Sequence, residues 1–263
     1  MADQARSAPG SISLNSGGQI PVLGFGTWQL TGTRGYQAVR HALEVGYRHI
    51  DTATGYHNED EVGRAIRESG VRREDIFVTT KLPPDNAGRA QQTIDESLRK
   101  LGTDYVDLWL IHWPPSGHAS VPTWRELLAV HESGQAKAVG VSNYSTSQLD
   151  ELIDATGVAP AVNQIPWSPR LHDDKRLRHA RERSVVIEGY SPFKRSNLSD
   201  PVLAAIASAH NVTTAQVVLR WHVEHEIVVI PKSATPERIS SNFEISGFSL
   251  DADEVARIDA LAG

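Results

Sequence analysis

Eight short β-rich runs recur along this chain: "VLGFGTW", "RHIDTA", "IFVTTK", "YVDLWLIH", "AKAVGVSN", "AVNQIPW", "SVVIEGY" and "IVVIPKS", typically separated by one stretch of helical length. The runs are apolar with few interruptions, as strands are when both their faces are covered, and the stretches between them place apolar residues at three- and four-residue spacing. Eight βα units within 263 residues favour a single (β/α)8 barrel over a doubly wound open sheet. No Pro- or Ser-rich linker divides the chain, so residues 11–263 read as one barrel domain behind a flexible tail, residues 1–10. "SISLNSGGQIPVLGF" adds an N-terminal β-hairpin whose glycines supply the positive φ of a tight turn, and "DADEVARIDAL" adds a C-terminal helix.

Helix punctuation agrees with this division. Asn58 and Glu61 have the spacing of a capping box opening "EDEVGRAI", and Thr123 and Glu126 that of a second opening "TWRELLAVHESG". "STSQLDELIDATG" stripes Leu149, Leu152 and Ile153 and closes at Gly157. Two helical pieces, "DPVLAAIASAH" and "TTAQVVLRWHVEH", precede the last strand.

Composition excludes several functions. A net charge of −6 with scattered Lys and Arg offers no field for a phosphate backbone, so no nucleic-acid partner is expected. Zero cysteines remove disulfides, thiolate nucleophiles and cysteine-based metal sites. "MADQARSAPG" lacks the apolar core of a signal peptide, and no later run is long enough to span a bilayer. The expectation is a cytoplasmic protein with no membrane association.

In a barrel of this kind reactive groups gather where strands end. Asp51 ends the second run, Tyr56 follows it in the loop "TATGYHNE", Lys81 ends the third and His112 the fourth. Each has an ordinary structural use: an Asp closes turns, a strand-end Lys reaches for water, and a buried His is hydrogen-bonded. Their chemistry is nevertheless complementary. An ammonium beside a phenol stabilises phenolate and lowers its pKa, Asp51 would keep Lys81 charged and aimed, and a neutral His112 could orient a carbonyl oxygen. Such a set suits reduction of C=O, with hydride reaching carbon and the phenol protonating oxygen. A second cluster follows the last run, where "IPKSATPER" brings Lys232, Ser233, Arg238 and a helix start with Thr235 as cap and Pro236 at its first position. Backbone N–H groups and two cations there make an anion pocket, or else a capped helix with two solvated cations.

"GFGTW", "HIDTATGYHNE", "TTKL", "IHWP", "GVSN", "NQI", "GYSP" and "IPKSATPERISSNF" stand in the order and spacing of the aldo-keto reductases. From about Leu14 to its end the chain resembles a bacterial member of that family near the 2,5-diketo-D-gluconate reductase branch. The resemblance implies a catalytic tetrad of Asp51, Tyr56, Lys81 and His112, with Tyr56 as general acid in NADPH-dependent reduction of aldehydes and ketones. It also implies Ser142, Asn143 and Gln164 on the nicotinamide carboxamide, Tyr190 stacked on its ring, and the 2′-phosphate at Lys232, Ser233 and Arg238. Asn242 is a further cofactor contact by the same resemblance, and Trp28 and Trp113 face a small-molecule carbonyl substrate. No metal is expected, and a monomer is.

Two departures stand out: Ser241 replaces the Glu usual in relatives, which bears on an adenine contact, and "NQIPWSP" replaces an "ELHP"-like run, so that flank is expected to pack differently. The chain also ends soon after its terminal helix, which implies an open pocket. Three rivals remain: an NADPH-binding regulatory subunit with slow turnover, a Schiff-base lyase using Lys81, and a metal hydrolase. The last is weakest, because His222 and His225 read as a solvated pair on a helix.

Overall fold

The structure is a computed structural model and describes residues 9–263; the expected tail falls outside the described residues over positions 1–8. A hairpin of β1 (Ser11–Ser13) and β2 (Gln19–Pro21) pairs antiparallel ahead of the barrel. The eight barrel strands are β3 (Phe25–Gly26), β4 (His49–Asp51), β5 (Phe77–Leu82), β6 (Val106–Ile111), β7 (Ala136–Ser142), β8 (Val162–Pro166), β9 (Val186–Tyr190) and β10 (Val228–Ile230). They pair in parallel in chain order, and each falls within one of the eight runs except β5, which continues one residue past "IFVTTK" to Leu82.

Closure comes from the stretch before β3, where Leu23 bridges Val229 and the Gly24 N–H donates to the Val229 carbonyl at 2.9 Å. Gly24 has no room for a side chain, because a Cβ there would lie 2.6 Å from His49 Nδ1.

Helices α1 (Gly32–Val45), α2 (Glu59–Glu68), α3 (Ala90–Leu101), α4 (Val121–Glu132), α5 (Thr146–Thr156) and α6 (Asp174–Glu182) follow successive strands. After β9 come α7 (Pro201–His210) and α8 (Thr214–Glu224), the two pieces expected, and after β10 come α9 (Pro236–Phe243) and α10 (Ala252–Asp259). The unbroken apolarity of the strands has its reason in β6. Leu108 and Leu110 point into the barrel, while Trp109 and Ile111 point out beneath a shell that includes Trp124 and Leu127 of α4. Leu14 and Ile20 of the hairpin join Leu108, Leu110, Ala138, Val162 and Val228 in one buried cluster, and Asn15 donates to the carbonyls of Ala159 and Pro160 just ahead of β8. The hairpin therefore stoppers the N-terminal end of the barrel, and burial of its two apolar side chains contributes roughly 1.5–3 kcal/mol each.

Local signals held at some helix starts and failed at others. Ser145 and Gln148 form a capping box on α5, which closes on left-handed Gly157. Asn58 precedes α2 but does not cap it. Its buried amide accepts from Thr52 Oγ1 at 2.7 Å and donates to the carbonyls of Thr27 and Leu30, because those loop carbonyls have no sheet partner and a buried amide must satisfy both ends. Glu61 does not reach back either; it accepts from the Gly32 N–H at the start of α1. Helix α4 opens two residues before Thr123 because Pro122 sits in its first turn, so Thr123 pairs with Ser120 Oγ and Glu126 accepts from the Ala90 N–H of α3. Thr235 precedes α9 with Pro236 at the first position as expected, yet its side chain makes no cap bond. Among the described residues no single helix is long and apolar enough to cross a membrane.

Candidate active site

Parallel strands deliver Asp51, Lys81 and His112 to one rim by register: Asp51 is the last residue of β4, Lys81 is next to last in β5, and the His112 N–H continues the ladder by donating to Leu82 O at 2.9 Å. Tyr56 closes a single 3-10 turn, Thr54–Tyr56, between β4 and α2, and the buried Asn58 pins the following residues to the loop after β3. All four line or border one cavity of about 650 Å³ at the barrel mouth, with Lys81 buried beneath its floor.

Lys81 makes the site's electrostatics. Its Nζ donates to Asp51 Oδ1 at 2.7 Å, to Asp51 Oδ2 at 2.8 Å and to the Thr52 carbonyl at 2.8 Å, so an ammonium with three protons has acceptors for all of them. Burial works against its charge, but the Asp51 carboxylate, with Tyr56 and Glu188, overrides this and holds the Lys81 pKa above its ordinary value. Nζ also lies 5.0 Å from the centre of the Tyr56 ring.

The expectation that the ammonium lowers the phenol pKa is corrected. Burial raises Tyr56, Lys81 opposes this, and the Asp51 charge adds to the rise, leaving the pKa above 10.0. Lys81 cannot win because its own charge is largely balanced by Asp51 at contact distance. The phenol is thus held in the protonated form a donor needs. His112 stands edge-on to Tyr56, ring centres 5.6 Å apart, and burial with the Lys81 charge pushes its pKa down to about 3. It is neutral at physiological pH, as the sequence led us to expect.

The other expected residues fall into two groups. Ser142, Asn143, Gln164 and Tyr190 line the same cavity and bond one another: Ser142 Oγ donates to Gln164 O, Asn143 Nδ2 to His112 O and Ser142 Oγ, and Tyr190 Oη to Asn143 Oδ1 at 2.8 Å. Trp28 and Trp113 line it with about half their surface exposed, and Lys232 reaches its edge. Ser233, Arg238 and Asn242 do not line it. They sit beyond Lys232 at the start and along the body of α9, where Ser233 Oγ accepts from the Thr235 N–H at 3.1 Å. Neither Lys232 nor Arg238 has an anionic partner among the described residues.

Sequence reading passed over two features. Ser191, Pro192, Phe193 and Lys194 supply a further wall of the cavity, signalled only by "SPFK" directly after a strand. Glu188 is the second: fully buried in β9, it receives one Gln164 Nε2 proton at 3.0 Å while Asp51 Oδ2 receives the other at 2.8 Å. One ammonium cannot neutralise two carboxylates. Burial and the Asp51 charge accordingly raise Glu188 to about 8. Its Oε1 lies 3.5 Å from Nε2 of buried His49, whose Nδ1 faces the Pro21 carbonyl at 3.3 Å. With Nδ1 as the donor, Nε2 accepts from Thr79 Oγ1 at 3.2 Å and also faces Glu188 Oε1, which has no hydrogen-bond partner among the described residues. Burial also lowers His49 to about 3, which agrees.

A test follows for Glu188. Its folded pKa of about 8 exceeds the ordinary glutamate value of 4.5, so between those values the folded state binds the extra proton and stability from this group is lost as pH rises. Glu188→Gln, isosteric with the protonated acid, removes that loss. Relative to wild type the variant should gain roughly 2–3 kcal/mol between pH 6 and pH 8, at about 1.4 kcal/mol per unit, read from urea unfolding. Parallel pH profiles for the two proteins would mean that Glu188 is ionised in the fold.

Residues 22–262 match the model of the aldo/keto reductase family, and the chain belongs to that family. It is 44% identical to an aldo-keto reductase of Mycolicibacterium smegmatis, over 95% of this chain and 92% of the relative. It is 40% identical to methylglyoxal reductase DkgA of Salmonella typhimurium, over 96% of this chain and 94% of the relative. The crystal structure of a Bombyx mori aldo-keto reductase in complex with NADP superposes with a TM-score of 0.91 at 33% identity, covering 97% of this chain and 94% of that one.

Proposed function

We propose that this NADP-dependent aldo/keto reductase reduces small aldehydes and ketones to alcohols with Tyr56 as the proton donor, within one barrel domain of residues 11–263. The observation that carries the assignment of roles is the Tyr56–Lys81–Asp51 cluster: a protonated phenol at the cavity wall beside a buried ammonium whose three protons are all engaged. NADPH, when bound, supplies the hydride. Neutral His112 donates to the carbonyl oxygen and orients it, and Tyr56 Oη gives that oxygen its proton as negative charge develops. Lys81 stabilises the phenolate left behind, and Asp51 keeps Lys81 charged. A fully engaged, charged Lys81 has no lone pair for a Schiff base, which argues against the lyase reading.

The residues present fit the cofactor. Gln164 spends both amide protons on Asp51 and Glu188, which leaves its Oε1 as acceptor for a carboxamide N–H, and the Tyr190 ring forms part of the cavity wall. Lys232, Ser233 and Arg238, at an α9 start that no side chain caps, suit a phosphate, and Asn242 is placed on the same helix for the adenosine half. Trp28 and Trp113 give the substrate two half-exposed aromatic walls. The aldehyde and keto-aldehyde class rests on the DkgA relative, named a methylglyoxal reductase. We take the enzyme to act as a cytoplasmic monomer; the absence of cysteine, and of a long apolar helix among the described residues, is compatible with the cytoplasmic part of this reading.

Following NADPH absorbance with aldehydes, keto-aldehydes and keto-sugars tests the activity, and turnover of none of them would sink it. The cofactor assignment has its own test. Arg238→Ala should weaken NADPH by about tenfold or more while NADH binding hardly changes, since only NADPH carries the 2′-phosphate that a guanidinium can grip with two parallel bonds. Fluorescence titration of both cofactors decides it: equal losses would assign Arg238 to the fold or the adenine.

A further inference from the structure

Away from the barrel mouth, the flank that departs from the family pattern carries a second cluster. Trp167, in "NQIPWSP", is fully buried, and His172 stands edge-on to it with ring centres 5.9 Å apart. His172 follows the 3-10 turn Pro169–Leu171 after β8, His225 ends α8, and Asp259 is the last residue of α10. None of the three lines the cavity at the mouth. The sequence reading of His222 and His225 as a solvated pair is corrected here. His222 is fully buried, with Nδ1 2.8 Å from the Val218 carbonyl and Nε2 3.3 Å from the Trp167 carbonyl, because its turn of α8 faces the barrel wall. His225 turns instead toward Asp259.

We infer that His172, His225 and Asp259 form a zinc site that staples the C-terminal helix to the barrel. The ligand atoms of the three residues all lie within 4.8 Å of one another. Asp259 Oδ1 is 2.8 Å from His225 Nε2 and 3.8 Å from His172 Nε2. A tetrahedral zinc with bonds of about 2.0–2.2 Å sets neighbouring ligand atoms about 3.3–3.5 Å apart, and the two observed separations bracket that spacing. Two imidazoles and one carboxylate are a common zinc donor set, and Asp174 Oδ1, 3.0 Å from His172 Nε2, is at hand for the fourth position, as is water.

Hydrogen bonding pairs His225 with Asp259 and His172 with Asp174, but joins the two imidazoles to no common partner. Asp259 Oδ1 already accepts from Trp221 Nε1 at 2.7 Å and from His225, which fills its two lone pairs and leaves His172 out of reach. A metal would draw both imidazoles and the carboxylate to one centre while the Trp221 N–H bond continues to orient Asp259, the usual arrangement for a ligating side chain.

The test uses the untagged full-length chain stripped with EDTA and titrated with zinc chloride alone by calorimetry, with thermal unfolding alongside. One zinc per chain and a raised Tm are expected. Nickel chloride should quench tryptophan fluorescence, since the Trp221 ring centre lies 5.4 Å from His172 and 5.0 Å from His225. His225→Gln and His172→Gln should each weaken zinc by about a hundredfold or more, with NADPH affinity unchanged as the control for folding. His225 is partly exposed, so its variant carries the result if replacing the more buried His172 disturbs the fold. Absence of stoichiometric zinc binding, or undiminished binding by His225→Gln, overturns the site and leaves a hydrogen-bonded clamp.

Discussion

Tyr56→Phe is expected to lower carbonyl turnover by about 100- to 10,000-fold, the span general acid catalysis supplies, while NADPH binds nearly as before. The phenyl ring preserves the edge contact with His112 and the wall of the cavity, so the variant removes one proton and little else. Reduction requires the phenol and alcohol oxidation the phenolate. With the Tyr56 pKa raised by burial, reduction should hold its rate through neutral pH and oxidation should climb under alkaline conditions. The low His112 pKa, about 3, keeps that residue from adding an acid limb near pH 6. Stopped-flow cofactor binding together with steady-state reduction measures both halves; a variant that still reduces aldehydes at near-native rates removes Tyr56 from the donor role.

Lys81→Met is expected to abolish reduction and also to destabilise the protein by about 3–5 kcal/mol, because Asp51 would remain buried with no counter-charge and with Glu188 on the far side of Gln164. The two effects can be separated. Adding Asp51→Asn removes the stranded charge and should restore most of the stability but none of the activity, since nothing then stabilises the Tyr56 phenolate. Urea unfolding and turnover of both variants make the comparison. Borohydride treatment of the wild type with an aldehyde should leave Lys81 unmodified, and a reduced adduct mapped there by mass spectrometry would establish the lyase chemistry instead.

The sequence made the barrel readable because parallel strands covered on both faces need nearly unbroken apolar runs, and eight such runs separated by helix-length segments admit few topologies. Site positions were readable for a related reason: Asp51, Lys81 and His112 are polar residues where apolar runs stop. What local patterns could not reveal was where a polar side chain would spend its bonds. Asn58 has the spacing of a cap and becomes a buried tie between loops, since the carbonyls of Thr27 and Leu30 that claim it are distant in sequence. Glu188 was invisible for the same reason. Its neighbours Gln164 of β8 and Asp51 and His49 of β4 come from two other strands, and only the closed barrel makes it share an interior with a second acid. The sign of the Tyr56 shift likewise depends on burial, which pattern does not report.

The bridge between Leu23 and Val229 bears on how the chain reaches this state. The first barrel strand finds its second neighbour only near the end of the polypeptide, and Leu14 and Ile20 wait for Val228 to complete their cluster. During synthesis, then, β3 presents an open parallel edge, and the hairpin an uncovered apolar face, until almost the whole chain has emerged. Contacts so distant in sequence slow folding and lengthen the time in which such edges can find the wrong partner. For this protein the vulnerable interval is therefore the one before β10 arrives, and chain truncations within the last βα unit should yield aggregation and not a smaller, weaker enzyme.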